Sequence, residues 1–257
     1  MNGSQPYLLK LKQKNYSPKS IDLYECAINR FNAWLKANRI NRYQDVTCDH
    51  VSAYRRYLVR FNLSDATLYV YLRTVKMLFD YLEENRSVFI NPAGRFTVPK
   101  YRHRLKHVPT RKDIETLLLL PDVNTPVGVR DRALIEVLYS TGIRRAEAFG
   151  LTIFDPDVTG CALRVIGKGD KERMVPLGRQ AVYWLKRYME RARPKLCRSL
   201  NIHALWISKN SGQQLSYCRV DKLIRGYAKQ VGIKGMSIHA IRRACTTHML
   251  QNGAQDG

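Results

Sequence analysis

A basic segment without any acidic residue, at positions 95–107, divides this chain into two regions whose hydrophobic patterns differ. The segment is rich in Lys, Arg and His and contains one proline, so its charges repel one another and favour an extended backbone. Before it, apolar residues recur only at helical spacing, and after it the pattern is mixed. The sequence therefore predicts two domains, 1–94 and 108–257, joined by a linker at 95–107.

The first region contains three segments in which apolar residues lie on one helical face. Each follows a residue that can cap a helix: Ser17 (with Pro18 next), Thr47 and Ser64. Because such helices can bury their apolar faces against one another, we expect a small helical bundle. The residues expected to point inward are Ile21, Tyr24, Ile28, Phe31, Leu35, Val51, Tyr54, Leu58, Phe61, Leu68, Leu72, Val75, Phe79 and Leu82.

The second region predicts helices and one β-hairpin. Thr110 can cap a helix that runs to Pro121, and a buried helix over 131–139 is closed by Gly142, which tolerates the left-handed conformation. Two short β-type runs flank a polar turn, and further helical segments follow them. The runs are 162–166 and 173–177, and the helices are 178–193, 217–231 and 239–252. The expected fold class is mainly α with a small β-hairpin or sheet (α+β).

The charge balance indicates a polyanionic partner. The chain carries 44 Lys and Arg residues against 21 Asp and Glu, a formal net charge of +23. Nucleic acid is the usual partner of such a surface, because counterion release then favours binding. A membrane surface is the competing partner, but no apolar run approaches the ~18–20 residues of a spanning helix and no signal peptide follows Met1. A basic RNA- or ribosome-associated protein is a further alternative.

The cysteines and histidines are not spaced as the ligands of a metal site. Six cysteines are scattered singly, with no Cys-x-x-Cys pair and no ligand spacing with the six histidines. Isolated thiols are typical of a reducing compartment, so we expect a cytoplasmic, nucleoid-associated protein without a structural metal.

Several basic residues of the first region lie off the apolar faces of the predicted helices. They are Arg55, Arg56, Arg60, Arg73 and Lys76. Most charged helix positions do no more than contact solvent. Few acidic residues lie among these, however, which favours a surface that follows a phosphate backbone. The same two interpretations apply to the basic residues of the linker, Lys100, Arg102 and Arg104.

Three short segments contain residues suited to phosphate chemistry. They are 140–147 (Ser-Thr-Gly-Ile-Arg-Arg-Ala-Glu), 167–173 (Gly-Lys-Gly-Asp-Lys-Glu-Arg) and 239–243 (His-Ala-Ile-Arg-Arg). Arg144 and Glu147 are three residues apart on a helical face, which an ordinary ion pair would explain. His239 and Arg242 share a face in the same way. Either pattern alone is common on helix surfaces.

The three segments together indicate a site that grips a phosphodiester. Two fixed guanidiniums can hold both non-bridging oxygens and neutralise the charge of a pentacoordinate phosphorus. A lysine at a hairpin tip can protonate a leaving 5′ oxygen, and a histidine beside the phosphate can share the proton of the nucleophile. Such a set performs phosphoryl transfer without a metal or another cofactor.

These segments, in this order and spacing, resemble the tyrosine recombinases of the Xer type. The likeness rests on the first arginine box at 140–151, the hairpin at 165–178 and the second arginine box at 239–250. It implies catalytic roles for Arg144, Lys168, His239 and Arg242, a supporting role for Glu147, and DNA contacts by Lys171 and Arg243. Lys171 is also the alternative catalytic lysine. His248 lies in the second box, where a structural role is expected.

The resemblance also implies an architecture and an activity. A helical, SAM-like core-binding domain and a catalytic domain would together clamp double-stranded DNA. Recombinase protomers would assemble as a tetramer on an inverted-repeat site, cleave through a phosphotyrosine link and rejoin the strands, with no cofactor and no membrane.

One departure from the family's pattern is at the carboxyl end. The family places its nucleophilic tyrosine soon after the second arginine, whereas residues 243–257 contain no tyrosine. The resemblance therefore implies a chain that lacks the nucleophile segment and binds its site without forming the covalent link. The alternative is a non-catalytic DNA-binding protein that occupies a recombination site.

Overall fold

The chain folds into two compact units, which a computed structural model assigns to Met1–Arg104 and Leu105–Gly257. The residues that the structure describes are 4–94, 96, 107–167, 169–199 and 201–253. Of the predicted linker, only Phe96 and His107 fall among them. The fold is mainly α-helical with a small sheet, which confirms the fold class predicted from the sequence.

Over residues 4–94, the first unit is a bundle of four helices with one short 3₁₀ turn at Tyr43–Asp45. The helices are α1 (Ser4–Gln13), α2 (Pro18–Ala37), α3 (Cys48–Val59) and α4 (Asp65–Glu84). The side chains of Ser17, Thr47 and Ser64 accept hydrogen bonds from backbone N–H groups at the starts of α2, α3 and α4. The predicted caps are therefore formed, because a cap depends only on neighbouring residues.

Aromatic side chains fill the centre of this bundle. Phe31 and Tyr54 are fully buried with their ring centroids 4.8 Å apart, and Phe79 packs against Phe31 at 6.1 Å. One predicted inward residue is wrong. Phe61 is 47% exposed, because α3 ends at Val59 and helical periodicity no longer sets its direction. The guanidinium of Arg30 lies over the Phe61 ring at 4.4 Å.

The α1 helix has no counterpart in the sequence prediction. It is short, and it buries Tyr7, Leu8 and Leu11 against the rest of the bundle. Tyr7 lies 5.4 Å from Tyr81 of α4, measured between ring centroids. Most of the stability of a helix of this length comes from tertiary packing.

The second unit is built around a central helix. Its helices are α5 (Arg111–Leu119), α6 (Pro126–Thr141), α7 (Arg145–Gly150), α8 (Arg179–Arg187), α9 (Arg193–Leu196), α10 (Tyr217–Gln230) and α11 (Ile238–Gln251). A π-helical turn at Tyr188–Ala192 joins α8 to α9. Helix α6 packs against both α8 and α11. Its apolar residues are buried on nearly all sides, as expected for a core helix.

A three-stranded antiparallel sheet lies beside these helices in the order β1-β2-β3. The strands are β1 (Pro156–Asp157), β2 (Ala162–Ile166) and β3 (Glu172–Pro176). The β2–β3 hairpin confirms the prediction to within one residue. The two-residue strand β1 was not predicted, since so short a strand carries no alternation. No helix in the described ranges is long and apolar enough to cross a membrane.

Candidate phosphate-binding site

Arg144 stands at the junction between the central helix and α7. Gly142 closes α6 in the left-handed conformation, with φ +57°, and Arg144 is the amino-terminal cap of α7. The backbone N–H of Arg144 donates to Glu147 Oε2 at 2.6 Å, and its Nη1 donates to Oε1 at 3.1 Å. The side chain of Arg144 remains 63% exposed, so the guanidinium is tethered but accessible.

Glu147 is a buried carboxylate shared by two arginines. Its side chain is 4% exposed, and it also accepts from Arg173 of strand β3 through both of its oxygens, at 3.1 and 2.9 Å. Burial alone would raise the pKa of the Glu147 carboxyl. The hydrogen bonds from Arg173 and Arg144 outweigh burial and lower that pKa to about 2. Glu147 is therefore ionised at neutral pH and links α7 to the hairpin.

The turn of the hairpin begins beside this carboxylate. The backbone N–H of Gly167 donates to the carbonyl of Lys171 at 2.8 Å. A Cβ added at Gly167 would lie 3.1 Å from Nη1 of Arg173 and 3.5 Å from Oε1 of Glu147. Glycine at this position thus lets the turn approach the ion pair closely. Lys171 is exposed on the far side of the turn, and Lys168 lies outside the described residues.

Arg242 is tied to the same loop that carries Arg144. It lies on α11, half-buried, and its Nη1 donates to the carbonyl oxygen of Gly142. His239, one turn earlier on α11, is exposed and shares a surface depression with Arg242. The structure thus connects Arg144, Glu147 and Arg242 through residues 142–147. His239 lies on the same face of α11 as Arg242.

His248 has a structural environment, in line with the role expected for it. It is 7% exposed, and its Nδ1 lies 2.9 Å from the hydroxyl of Tyr139 on α6. This contact helps to fasten α11 to the central helix.

The predicted DNA-contacting residues have different surroundings. Four of them are exposed: Arg55 and Arg56 on α3, Arg60 at the end of α3, and Arg73 on α4. Lys76 instead is half-buried, and its ammonium donates to the carbonyls of Gly94 at 3.2 Å and Phe96 at 3.5 Å. It holds the chain that follows α4, and its contact with phosphate stays a prediction.

Arg243 and the linker residues complete the predicted set. Arg243 is half-buried, and its Nη2 donates to the carbonyl of His107 at 3.0 Å. Its guanidinium thus holds the start of the second unit. Three predicted contacts lie outside the described residues: Lys100, Arg102 and Arg104.

The sequence interpretation missed Arg173. In the hairpin, Arg173 pairs with Val165, which is fully buried. Paired residues of neighbouring strands point to the same face, so Arg173 lies on the face of the hairpin that carries Val165, while its own side chain remains 41% exposed. Its partner there is the buried carboxylate of Glu147, which needs a positive charge in contact with it. The predicted runs 162–166 and 173–177 would pair Arg173 with Ile166, one residue from the observed register, so the predicted hairpin carried no signal for this contact.

Two family profiles match the chain. The Phage integrase family profile matches residues 108–256, and the profile of the phage integrase N-terminal SAM-like domain matches residues 5–86.

Curated relatives agree with these profiles. The tyrosine recombinase XerD of Proteus mirabilis is 32% identical over 245 residues, which cover 94% of this chain and 77% of that protein. XerD of Listeria innocua is 32% identical over 244 residues, which cover 94% and 82%. XerD of Neisseria meningitidis serogroup B is 37% identical over 185 residues, 71% of this chain, and this match spans only 62% of the relative's length.

Solved structures share the fold at lower identity. A Tn1549 transposon integrase in complex with a circular intermediate DNA is 17% identical with a TM-score of 0.79, covering 99% of this chain and 88% of that chain. A lambda integrase dimer bound to a core site is 15% identical with a TM-score of 0.75, covering 98% and 90%. XerH recombinase bound to its difH substrate is 24% identical with a TM-score of 0.71, covering 98% and 74%.

Proposed function

This chain belongs to the phage integrase family of tyrosine recombinases, and we propose that it acts in site-specific recombination on double-stranded DNA. The observation that carries the proposal is the contact network of residues 142–147. Arg144 lies on this segment, and Glu147 accepts hydrogen bonds from its backbone and its side chain at the start of α7. Arg242 donates to the carbonyl of Gly142 in the same segment. The exposed guanidinium of Arg144 on this segment and the half-buried one of Arg242 tied to it suit the non-bridging oxygens of a backbone phosphate.

The proposed chemistry is a transfer of phosphorus between two oxygens. A tyrosine oxygen, which residues 243–257 do not contain, would form a bond to phosphorus, and the bond from phosphorus to the 5′ oxygen would break. Arg144 and Arg242 would stabilise the added negative charge of the transition state. His239 would take or share the proton of the nucleophile, and Lys168 would give a proton to the leaving 5′ oxygen. We expect no metal or cofactor to take part.

The wider assembly is part of the same proposal. We expect an inverted-repeat duplex to bring recombinase protomers together, finally as a tetramer. The exposed arginines of α3 and α4 would follow the phosphate backbone. A protein that acts on duplex DNA works where that DNA is, so a nucleoid location remains our expectation.

Phosphate-specific binding tests this function without relying on cleavage. A duplex is first selected by the chain from a randomised inverted-repeat library. Each backbone phosphate is then replaced in turn by an uncharged methylphosphonate, and binding is measured by gel shift. We expect one phosphate per half-site at which replacement weakens binding about tenfold, since hydrogen bonds between charged groups are the strongest of those lost.

Two variants and a control assign that phosphate to the site. In Arg144→Gln and Arg242→Gln, replacing that one special phosphate should weaken binding no more than replacing its neighbours. The slope of log binding constant against log salt concentration should become shallower by about 1. Arg42→Gln is the matched control, because Arg42 is 73% exposed in the first unit and pairs with Asp45. The control should keep the sensitivity. Uniform sensitivity along the duplex in the unmodified chain would contradict the proposal.

A covalent assay separates the two expectations raised from the sequence. The chain is incubated with a nicked duplex that traps a covalent intermediate, and the products are separated on a denaturing gel. A protein–DNA adduct would show recombinase chemistry. Specific binding without an adduct would support a protein that occupies the site.

A further inference from the structure

We propose that Arg173 is a positioning residue, which neutralises Glu147 so that the charge of Arg144 stays available to the scissile phosphate. This inference rests on the proposed function, since it concerns how the same phosphate is held. Arg173 lies on strand β3 and would itself touch neither the phosphate nor the nucleophile.

The geometry places two arginines on one carboxylate. Arg173 approaches Glu147 with two parallel N–H groups, one to each oxygen, at 3.1 and 2.9 Å. Arg144 uses one backbone and one side-chain N–H on the same two oxygens. The carboxylate thus accepts four hydrogen bonds, and such bidentate pairing with Arg173 is geometrically specific.

The charges of the three groups explain why both arginines are needed. Glu147 is buried, so its negative charge acts strongly on a guanidinium in contact with it. With Arg173 present, the group of three retains one net positive charge, and Arg144 is its most exposed member. Without Arg173, the charges of Arg144 and Glu147 would cancel, and the phosphate would meet a neutral pair.

The same pair also fixes the hairpin relative to Arg144. Arg173 follows Lys171 by two residues, and the turn packs on the ion pair at Gly167. Because Glu147 also caps α7 at Arg144, one carboxylate sets the position of both elements. A change at Arg173 should therefore be felt at the phosphate rather than only in stability.

The experiment compares charge variants in the methylphosphonate assay described above, on the duplex that the unmodified chain selects. Arg173→Gln should reduce the sensitivity at the special phosphate from about tenfold to the level of its neighbours. Arg173→Lys keeps the charge but loses the bidentate pairing, so it should retain more of the sensitivity than Arg173→Gln does. The double variant Glu147→Gln with Arg173→Gln restores one net positive charge, so it should recover sensitivity that Arg173→Gln alone has lost.

Arg164→Gln is the matched control in the same hairpin. The side chain of Arg164 is 42% exposed, against 41% for Arg173, and it pairs with Asp155 and Glu172 instead of Glu147. Arg164→Gln removes the same charge as Arg173→Gln and a similar number of hydrogen bonds. The control should keep the sensitivity at the special phosphate, and urea denaturation verifies that every variant is folded.

Different failures point to different errors. If the unmodified chain shows no special phosphate, the proposed function itself is wrong. If it shows one and Arg173→Gln retains it, the positioning role is refuted. The role is equally refuted if the double variant is no better than Arg173→Gln, or if Arg173→Lys loses as much as Arg173→Gln.

Discussion

Replacing Glu147 by glutamine should change how the stability of the second unit depends on pH. The pKa of the Glu147 carboxyl falls from 4.5 to about 2 in the folded protein, in which Arg173 and Arg144 hydrogen-bond to it against the cost of its burial. One pKa unit corresponds to about 1.4 kcal/mol. The ionised carboxylate should therefore contribute about 3 kcal/mol to the free energy of unfolding at neutral pH.

The direction follows from the depressed pKa. Stabilisation is fully present above the unfolded-state pKa of 4.5 and is lost as the pH falls toward the folded-state value of about 2. Over the interval from pH 6 to pH 3 about 2 kcal/mol should be lost through this group. Glu147→Gln has no such titration, so the difference between the two proteins should shrink by that amount.

The assay is urea denaturation at fixed ionic strength from pH 6 to pH 3, followed by tryptophan fluorescence. Trp34 lies in the first unit, while Trp184 and Trp206 lie in the second. A Trp34→Phe background therefore restricts the signal to the unit of interest. Trp206 is a close reporter, because its Nε1 donates to the carbonyl of Ala148 at 3.0 Å.

The comparison with Glu147→Gln removes the contribution of the other carboxylates, which titrate in both proteins. Arg164→Gln supplies a further control. Arg164 pairs with Asp155 and Glu172, so its replacement disturbs the hairpin but leaves the ion pairs of Glu147 in place. Parallel stability curves for the unmodified chain and Glu147→Gln would refute the assigned pKa and the electrostatic role derived from it.

Two further substitutions test the core beneath the site. Asp131→Asn should lower the free energy of unfolding by about 3 kcal/mol. Asp131 is 1% exposed, and it accepts hydrogen bonds from Arg130 and from the hydroxyl of Tyr227. An unchanged urea midpoint would contradict this prediction. Gly142→Ala should cost more than about 1 kcal/mol, since φ is +57° and the new Cβ would lie 3.0 Å from Sγ of Cys245. Adding Cys245→Ala should relieve only the contact and leave the backbone strain, and full recovery would argue against strain.

Local features of this chain could be predicted from the sequence because local residues determine them. Thr110 accepts from the N–H of Asp113 at the start of α5, and Gly142 closes α6, as the sequence indicated. The hairpin was found because β-type runs flank a turn rich in glycine and charge. Arg144 and Glu147 were paired because a spacing of three residues fixes their proximity on any helix.

Contacts between distant residues could not be predicted in the same way. The pairing of Arg173 with Glu147 spans 26 positions, and the contact of Arg242 with Gly142 spans 100. Helical periodicity places Lys76 off the apolar face of α4, where it could contact phosphate. In the structure its ammonium donates instead to the backbone carbonyl of Gly94, in the segment that follows α4. Periodicity gives the face on which a side chain lies and leaves open what packs against that face.

The dependence of the site on one helix terminus follows from these contacts. Residues 142–147 supply a carbonyl to Arg242, carry Arg144 and bury Glu147, so the end of α6 sets the spacing of three charged groups at once. A loop in that role must be rigid, since a small displacement of either guanidinium would weaken the phosphate contact that we propose for it. Burial of α6 on nearly all sides and the left-handed closure at Gly142 provide that rigidity. Substitutions in the α6 core should therefore weaken phosphate selectivity even where they touch no charged residue.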